Sequence, residues 1–327
     1  MTEYLPLICG CLTAFVVTLL LMKFLPLSNT LIGHDRGRLY AEGSSVNIGK
    51  PTGVGFYFVI VFALTVVIVN ILTGIRVGLI YAMILIVAAM VTGVLDDRSK
   101  DAWNEYIKGA MDAVLALFGS FIVVYFFGRD FIIGLTGTGS EFHVVLYIIL
   151  AFILYIVSIN AVNATDGIDG LSSTLTILTV ITAGIVAKIN GTLDKNGLLM
   201  GGALAAVLLA YLIFNFNPSK VLMGDAGSRA IGFFIAFYLM YLKIPFAFLI
   251  ICLPFLIDGG LSILKITIGR LTKRKIIILK SIITPIHDEL RKKHGFSVKK
   301  TWAVLVSSAL IIDIIYIVVC LIVKRFG

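Results

Sequence analysis

Long apolar runs dominate this chain and limit its fold more than any other feature. Of its 327 residues, 59% are hydrophobic and only 14% are charged, too few charges for the surface of a soluble protein of this size. A helix needs roughly 20 apolar residues to cross about 30 Å of hydrocarbon. Only helices or closed barrels satisfy their backbone polar groups in lipid, and these runs are too long for barrel strands. The sequence therefore predicts an all-α polytopic membrane protein.

We predict ten transmembrane helices in a single integral membrane domain that covers residues 1–327. The first run lacks a basic start and is long enough to span, so we assign it to a helix rather than to a signal peptide. The eighth run is short. The ninth contains Asp258, and we expect it to be bent or to run past the membrane surface. The predicted spans are 4–25, 51–73, 77–95, 107–127, 142–160, 171–189, 197–214, 229–243, 246–268 and 301–323.

Positive charge orients the predicted bundle. Most of the 27 Lys and Arg residues lie in loops that follow odd-numbered spans. The positive-inside rule assigns those loops to the cytoplasm and places both termini outside. The net charge of +9 then belongs mainly to the cytoplasmic face, where part of it could attract an anionic substrate or lipid headgroup. The four cysteines all lie inside predicted spans and are read as apolar packing residues.

Carboxylates stand at the ends of these apolar runs, and the predicted topology places them on the cytoplasmic side. They are Asp96 and Asp97 after the third span, Asp166 and Asp169 after the fifth, and Asp225 before the eighth. Acidic residues at a membrane boundary are costly unless they have a function, and a convergent set indicates a metal and phosphate site. The alternative reading of the Asp96-Asp97 pair is a solvated helix cap.

The loop after the fifth span has a regular polar pattern. Asn160, Asn163, Asp166 and Asp169 repeat every three residues, which stacks them on one side of a helix end. Glycines within the same segment permit a tight turn or the close approach of a ligand to the backbone. The alternative is helix capping by Asp169 or Asn163.

Two further loops on the same side complete the candidate site. Asp225 lies between glycines just before a span, where backbone N–H groups favour anions and the carboxylate can hold a metal. The alternative is an N-cap role for Asp225 or Ser228. His287 follows Pro285, precedes two acids and lies in a basic loop, so we assign it to the site. His294 is read as ordinary loop surface.

Three segments in combination give the chain a family resemblance: 163–171 (NATDGIDGL), 223–228 (MGDAGS) and 284–287 (TPIH). With the Asp96-Asp97 pair, in this order and on these loops, they resemble the polyprenyl-phosphate N-acetylhexosamine-1-phosphate transferase superfamily over nearly the whole chain. Within that superfamily the chain is most similar to the bacterial phospho-N-acetylmuramoyl-pentapeptide transferases.

The resemblance implies a reaction, a cofactor and a set of site residues. Undecaprenyl phosphate would attack the β-phosphate of UDP-MurNAc-pentapeptide, giving lipid I and UMP with Mg²⁺ as cofactor in a bacterial plasma membrane. It also allows a homodimer. Asp225 matches the metal ligand, and Asp96 and Asp97 match an aspartate pair of which Asp96 would act on the lipid phosphate. The other implied site residues are the catalytic His287 and the substrate-binding Lys50, Thr52, Lys100, Lys108, Asn160, Asn163, Asp166 and Asn215.

The chain departs from the family pattern in two places. A run of three histidines is replaced by His287, Asp288 and Glu289, which removes the second and third histidine. In the loop before the second span, Asn47 stands five residues before Thr52, where the family has a lysine, and Lys50 is the candidate substitute.

Two alternative functions remain at this level. The first is a transferase of the same superfamily that takes UDP-N-acetylglucosamine and starts a teichoic acid or surface polysaccharide. The second is a secondary transporter with ion-coupling acids. A transporter would place its acids at mid-membrane, often at broken helices in related halves, whereas nearly all of these acids lie at one edge and no internal repeat is visible.

Overall fold

A computed structural model describes residues 2–24, 33–35, 48–99, 103–132 and 139–326. The chain forms helices over most of this length, as its apolar runs predict. The helices are α1 (Leu5–Phe24), α2 (Gly55–Thr73), α3 (Val77–Arg98), α4 (Glu105–Ile122), α5 (Val144–Thr165), α6 (Leu171–Asn190), α7 (Lys195–Asn215), α8 (Gly224–Tyr241), α9 (Phe248–Ile251), α10 (Leu253–Phe255), α11 (Leu261–Leu271), α12 (Ile286–Lys292) and α13 (Val298–Phe326).

Short elements connect or extend the helices. Single 3₁₀ turns occupy Thr2–Tyr4 and Pro245–Ala247, and π-helical turns occupy Val123–Phe127 and Leu256–Gly260. Two small antiparallel ladders flank α2–α4 in the chain order. The strand β1 (Gly33–His34) pairs with β2 (Pro51–Thr52), and β3 (Asp130–Ile132) pairs with β4 (Gly139–Glu141).

Eight of the described helices are long and apolar enough to cross a membrane, or nine segments if the bent region Pro245–Leu271 counts as one span. The prediction of a multi-pass helical membrane protein is therefore confirmed, whereas the count of ten is not. The helix missing from that set is α8, the eighth predicted span. It begins at Gly224, five residues before the predicted start, and its first turns carry Asp225, Ser228 and Arg229, which lower its mean hydropathy.

Helix α8 lies at the centre of the bundle. Every residue from Asp225 to Tyr241 is buried, and the helix packs most extensively against α3 and α5. By contrast, α1 and α13 bury only about a fifth of their most apolar windows and present large hydrophobic side chains outwards. The outer helices thus offer an apolar surface to lipid, while α8 contacts protein on all sides.

The ninth predicted span is bent, as the sequence led us to expect. Two helical segments, Pro245–Ile251 and Leu253–Leu271, meet at an angle of 62°, and Pro254 follows directly on the bend. Proline removes a backbone donor and crowds the preceding turn, which accounts for the break. The π-helical turn Leu256–Gly260 follows and places Asp258 in the protein interior, where it is 0% exposed.

Candidate active site

Glycines bring two helices into close contact with the start of α8. A Cβ at Gly93 of α3 would overlap the backbone of Asp225, and a Cβ at Gly55 of α2 would overlap the backbone of Gly227. Small residues at such crossings let helix backbones approach closely in membranes. The carboxyl end of α3, with Asp96 and Asp97, is therefore held against the amino end of α8.

The carboxylate of Asp97 receives the first N–H groups of α8. Its Oδ1 accepts from the Asp225 N–H at 3.1 Å and its Oδ2 accepts from the Ala226 N–H at 3.2 Å. The first N–H groups of a helix have no partner within that helix and favour an anion. A Cβ at Gly224, whose φ is +66°, would overlap this carboxylate, so both the backbone conformation and the contact require glycine there. In this arrangement Asp97 positions α8.

Asp96 and Asp225 converge on one lysine. The ammonium of Lys108, at the start of α4, donates to Asp225 Oδ2 at 3.0 Å and forms an ion pair with Asp96 Oδ2. The second oxygen of Asp96 accepts from the Trp103 N–H at 2.8 Å. Both carboxylates are buried, so each depends on these donors to offset the loss of water. The structure thus brings the predicted residues Asp96, Lys108 and Asp225 together.

Asn163 completes the surroundings of Asp225. Its amide donates to Asp225 Oδ1 at 3.0 Å and to Ser228 Oγ at 2.9 Å. The Ser228 hydroxyl in turn donates to the Gly224 carbonyl at 3.0 Å. Four helices, α3, α4, α5 and α8, therefore supply side chains to one polar cluster. We call Asp96, Asp97, Lys108, Asn163 and Asp225 the carboxylate end of the site.

A buried ion pair lies one helical turn deeper in the bundle. Arg229 donates to Asp112 Oδ1 at 2.6 Å, and Asn160 donates to Asp112 Oδ2 at 3.2 Å. Arg229 and Asp112 follow Asp225 and Lys108 by four residues each, and Asn160 precedes Asn163 by three, so this second polar layer joins the same three helices, α4, α5 and α8. The side chains of Asp112 and Arg229 are each only 3% exposed.

The loop from α7 to α8 is tied to the loop after α5. Asp169 accepts from Asn217 Nδ2 at 2.8 Å, from the Ser219 N–H at 3.0 Å and from Ser219 Oγ at 2.7 Å. Lys50 donates to Ser219 Oγ at 3.1 Å. Asp169 therefore joins two loops rather than capping α6, which begins after Gly170 without a side-chain cap.

Asn215 also connects these loops. Its Oδ1 accepts from the Gly170 N–H at 2.9 Å, and its Nδ2 donates to the Val221 carbonyl at 2.8 Å. Asn215 is buried, so the amide that the family resemblance assigned to substrate binding joins two backbone segments of the site in this structure.

The remaining predicted residues divide into two groups. Thr52 lies in β2, beside the segment of the α7–α8 loop that bonds to Pro51 and Val54. Asp166 is the first residue after α5. Lys100 lies outside the residues that the structure describes, as does Asn47 of the altered loop.

His287 and Asp258 form a second polar cluster. Asp258 Oδ1 accepts from the His287 N–H at 2.7 Å, and Asp258 Oδ2 lies 2.8 Å from His287 Nδ1. A Cβ at Gly167 would overlap His287 Nε2, so the histidine ring lies against the loop that follows Asp166. We call His287, Asp258 and Gly167 the histidine end of the site.

The acids that replace the second and third histidines pair within their own loop. Asp288 accepts from Lys292 at 2.9 Å, and Glu289 accepts from Lys293 at 2.8 Å and from the Ile283 N–H at 2.7 Å. The bond from Lys293, followed by that from Ile283, lowers the pKa of Glu289. Both acids therefore fix the local conformation around α12.

The carboxylate end suits a Mg²⁺ ion that shares its ligands with substrate. Among residues 2–24, 33–35, 48–99, 103–132 and 139–326, no group of three His, Cys, Asp or Glu side chains is arranged to hold a metal. Two buried carboxylates nevertheless meet around the ammonium of Lys108. Mg²⁺ is commonly bound by one or two carboxylates together with substrate phosphates and water, and Asp225 with Asp96 provides that donor set.

Sequence reasoning missed Asp112 as a site residue and counted Arg229 only as a topology charge. A usable signal existed, since Asp112 lies inside the fourth predicted span and an acid within a span indicates a function or a partner. The sequence alone allows Asp258 either to line a groove or to pair with a neighbouring helix. In the structure its partner is His287 of the short helix α12.

Comparison with known proteins shows related sequences. A model of the family described as glycosyl transferase family 4 matches residues 79–243, which include α8 and the whole carboxylate end. Over 292 residues the chain is 33% identical to the phospho-N-acetylmuramoyl-pentapeptide-transferase of Treponema pallidum (strain Nichols), covering 84% of this chain and 78% of the relative. A protein of the same name from Streptococcus equi subsp. zooepidemicus (strain MGCS10565) is 30% identical over 148 residues, covering 41% and 43%.

Proposed function

This chain belongs to glycosyl transferase family 4, and from that membership we propose that it carries out phosphosugar transfer in peptidoglycan synthesis. The donor would be UDP-MurNAc-pentapeptide, the acceptor undecaprenyl phosphate, and the products lipid I and UMP. The observation that carries the proposal is the convergence of Asp96, Lys108 and Asp225 within the matched segment. The name of the Treponema pallidum relative, of which the match covers 78%, supplies the choice of the transferred group, and the family resemblance supplies the nucleotide and the lipid acceptor.

The proposed reaction exchanges one pyrophosphate bond for another. An oxygen of the lipid phosphate attacks the β-phosphorus of the donor, the bond from that phosphorus to the bridging oxygen breaks, and UMP leaves with the bond's electron pair. Phosphoryl transfer depends mainly on positioning and on neutralising charge rather than on covalent work by the protein. The lipid phosphate is already anionic near neutral pH, so Asp96 would orient the acceptor instead of removing a proton from it.

We propose that Mg²⁺ is held by Asp225, beside Asp96. When bound, the ion would supply the positive charge that the phosphate groups need. Lys108 would give the lipid or donor phosphates a second positive charge, and Asn163 would keep Asp225 in place through its 3.0 Å bond. Asp97 would act on this arrangement indirectly, by holding the first turn of α8.

The end of the helix bundle that contains the candidate site would face the cytoplasm of a bacterial cell. The loops at this end carry most of the lysines and arginines, which is the distribution that the positive-inside rule gives to cytoplasmic loops. A nucleotide sugar made in the cytoplasm could then reach the site directly. Labelling of single cysteines introduced at the exposed Lys220 and at Thr192, in a variant that lacks the four native cysteines, tests this orientation in intact cells, with access expected from outside only at Thr192.

A donor assay tests the reaction. Purified protein in lipid nanodiscs is incubated with Mg²⁺, undecaprenyl phosphate and UDP-MurNAc-pentapeptide, and UMP and the lipid-linked product are measured. Release of both with this donor, and not with UDP-N-acetylglucosamine, is the expected result. Turnover of UDP-N-acetylglucosamine alone would select the other transferase of the superfamily and overturn the proposal.

A further inference from the structure

Asp258 is a buried acid whose two carboxylate oxygens both contact the same residue, His287. Its side chain is 0% exposed within a bent membrane segment, where an isolated carboxylate would be costly. Oδ1 accepts from the backbone N–H of His287 at 2.7 Å, and Oδ2 lies 2.8 Å from ring atom Nδ1. The first bond fixes the place of α12, while the second fixes the histidine ring.

The ring contact determines the histidine tautomer. An ionised carboxylate has no proton to donate and can only accept. The 2.8 Å contact is therefore a hydrogen bond only if Nδ1 carries the proton. In a neutral imidazole, Nε2 is then the acceptor. Such second partners commonly set the tautomer and orientation of a functional histidine.

The other ring nitrogen faces the loop that carries predicted site residues. A Cβ at Gly167 would overlap His287 Nε2, and Gly167 directly follows Asp166 in that loop. On the other side, a Cβ at Gly259, next to Asp258, would overlap the Ala161 carbonyl near the end of α5. The π-helical turn, the histidine and the α5 loop are therefore packed with no room for a larger residue at either glycine.

We propose that Asp258 is a positioning residue for the transfer reaction. It holds His287 in the Nδ1–H tautomer, so that Nε2 accepts a hydrogen bond from a hydroxyl or amide N–H of the donor substrate. The diphosphate oxygens have no proton to donate, and His287 therefore recognises a part of the donor other than its diphosphate. This inference rests on the proposed function for the identity of the donor, but the tautomer itself does not depend on it.

The substitution Asp258→Asn can keep one hydrogen bond of the carboxylate while it changes the other. An asparagine oxygen can still accept from the His287 N–H, so α12 remains attached. The asparagine amide can only donate to the ring, which favours an unprotonated Nδ1 and moves the proton to Nε2. We expect kcat/KM for the donor to fall by about 10- to 100-fold, the range found for partners that orient a functional group.

A double-mutant comparison distinguishes positioning from general stability. If Asp258 acts through His287, Asp258→Asn should lower kcat/KM in the wild-type chain and leave the value of His287→Ala unchanged. Equal losses in both backgrounds would overturn the proposal. The matched control is Asp313→Asn, which changes another buried acid of a spanning helix, α13, and should keep wild-type kcat/KM.

The tautomer can be read without any substrate. Nitrogen-15 NMR of histidine-labelled protein in nanodiscs, with His287→Gln used for assignment, should show Nδ1 protonated and Nε2 unprotonated at His287. In Asp258→Asn the pattern should reverse. A protonated Nε2 and bare Nδ1 in the wild-type chain would refute the inference. Failure of the donor assay with the expected tautomer present would instead count against the proposed function.

Discussion

The carboxylate end and the histidine end of the site both consist of buried polar groups, but they balance charge differently. At the histidine end one acid, Asp258, serves one histidine. At the carboxylate end Asp96 and Asp225 share the ammonium of Lys108. Asp97 adds a further carboxylate, which accepts hydrogen bonds from the backbone N–H groups of Asp225 and Ala226. Phosphates could enter such a cluster only with additional positive charge, which is the physical reason to expect a metal there.

The two ends also differ in how the backbone forms them. The carboxylate end is built where helices end or begin and approach through Gly55 and Gly93. The histidine end depends on a bent helix, a π-helical turn and a short helix of seven residues. The first arrangement is held by close packing between long helices, whereas the second is held by the contacts of Gly167 and Gly259 and by the hydrogen bonds of Asp258. The segment 163–167 contributes to both, through Asn163 and Gly167.

The largest expected effect is at Asp225. Asp225→Asn removes one negative charge from the proposed metal ligand, while its shape and its contact with Asn163 can persist. We expect turnover to fall by at least about 10²–10³-fold, the scale of losing one preorganised electrostatic group. Activity should be measured against Mg²⁺ concentration, with thermal stability as the folding control. Near wild-type turnover with unchanged Mg²⁺ dependence would refute the metal assignment.

The buried pair below the carboxylate end should matter most for stability. Asp112→Ala leaves the Arg229 guanidinium buried without its charged partner. Breaking such a pair from one side costs about 3–5 kcal/mol, so we expect a large drop in the thermal unfolding temperature of the detergent-solubilised protein. In the double variant Asp112→Leu with Arg229→Met, stability should recover substantially because no unpaired charge remains. No recovery would mean that the pair itself stabilises the fold.

Asp96 and Asp97 are neighbours with different contacts, so we expect their substitutions to have different effects on stability and activity. Asp97→Ala removes an anion from the first turn of α8, and loss of a helix cap costs about 1 kcal/mol. We expect it to lower both the unfolding temperature and activity. Asp96→Asn should lower activity while changing the unfolding temperature less. Equal thermal shifts in the two variants would contradict the distinct roles given to these carboxylates.

The smallest expected effect is at Glu289. Its pKa is lowered in the folded protein by Lys293 and Ile283, so its contribution to stability is present above the unfolded pKa of about 4.3 and disappears as pH falls through the folded pKa. At neutral pH, Glu289→Gln should weaken the α12 segment slightly and reduce turnover by less than about threefold, because the partner Lys293 is half-exposed and ion pairs that water can reach contribute little. A loss as large as that of Asp258→Asn would show that the acid acts on substrate.

Some of the site followed from sequence because it depends on local pattern. The polar ends of apolar runs predicted Asp96, Asn163 and Asp225 as members of one site, since consecutive spans alternate direction and return alternate loops to the same end. Asn215 was assigned to the site through the family resemblance, but its neighbours were not predicted. Its amide joins Gly170 and Val221, because a loop buried against another loop must satisfy its own backbone.

What the sequence determined by itself is the class of the molecule and the end at which its chemistry would lie. Mean hydropathy and net charge are properties of segments of neighbouring residues, so they indicate which segments span the membrane and which form loops. Tertiary structure alone decided that Asp97 meets the start of α8, that Asp112 pairs with Arg229 117 residues away, and that Asp258 orients His287 29 residues away. These contacts depend on helix crossings and on one bend, and no local pattern records which buried charges will meet there.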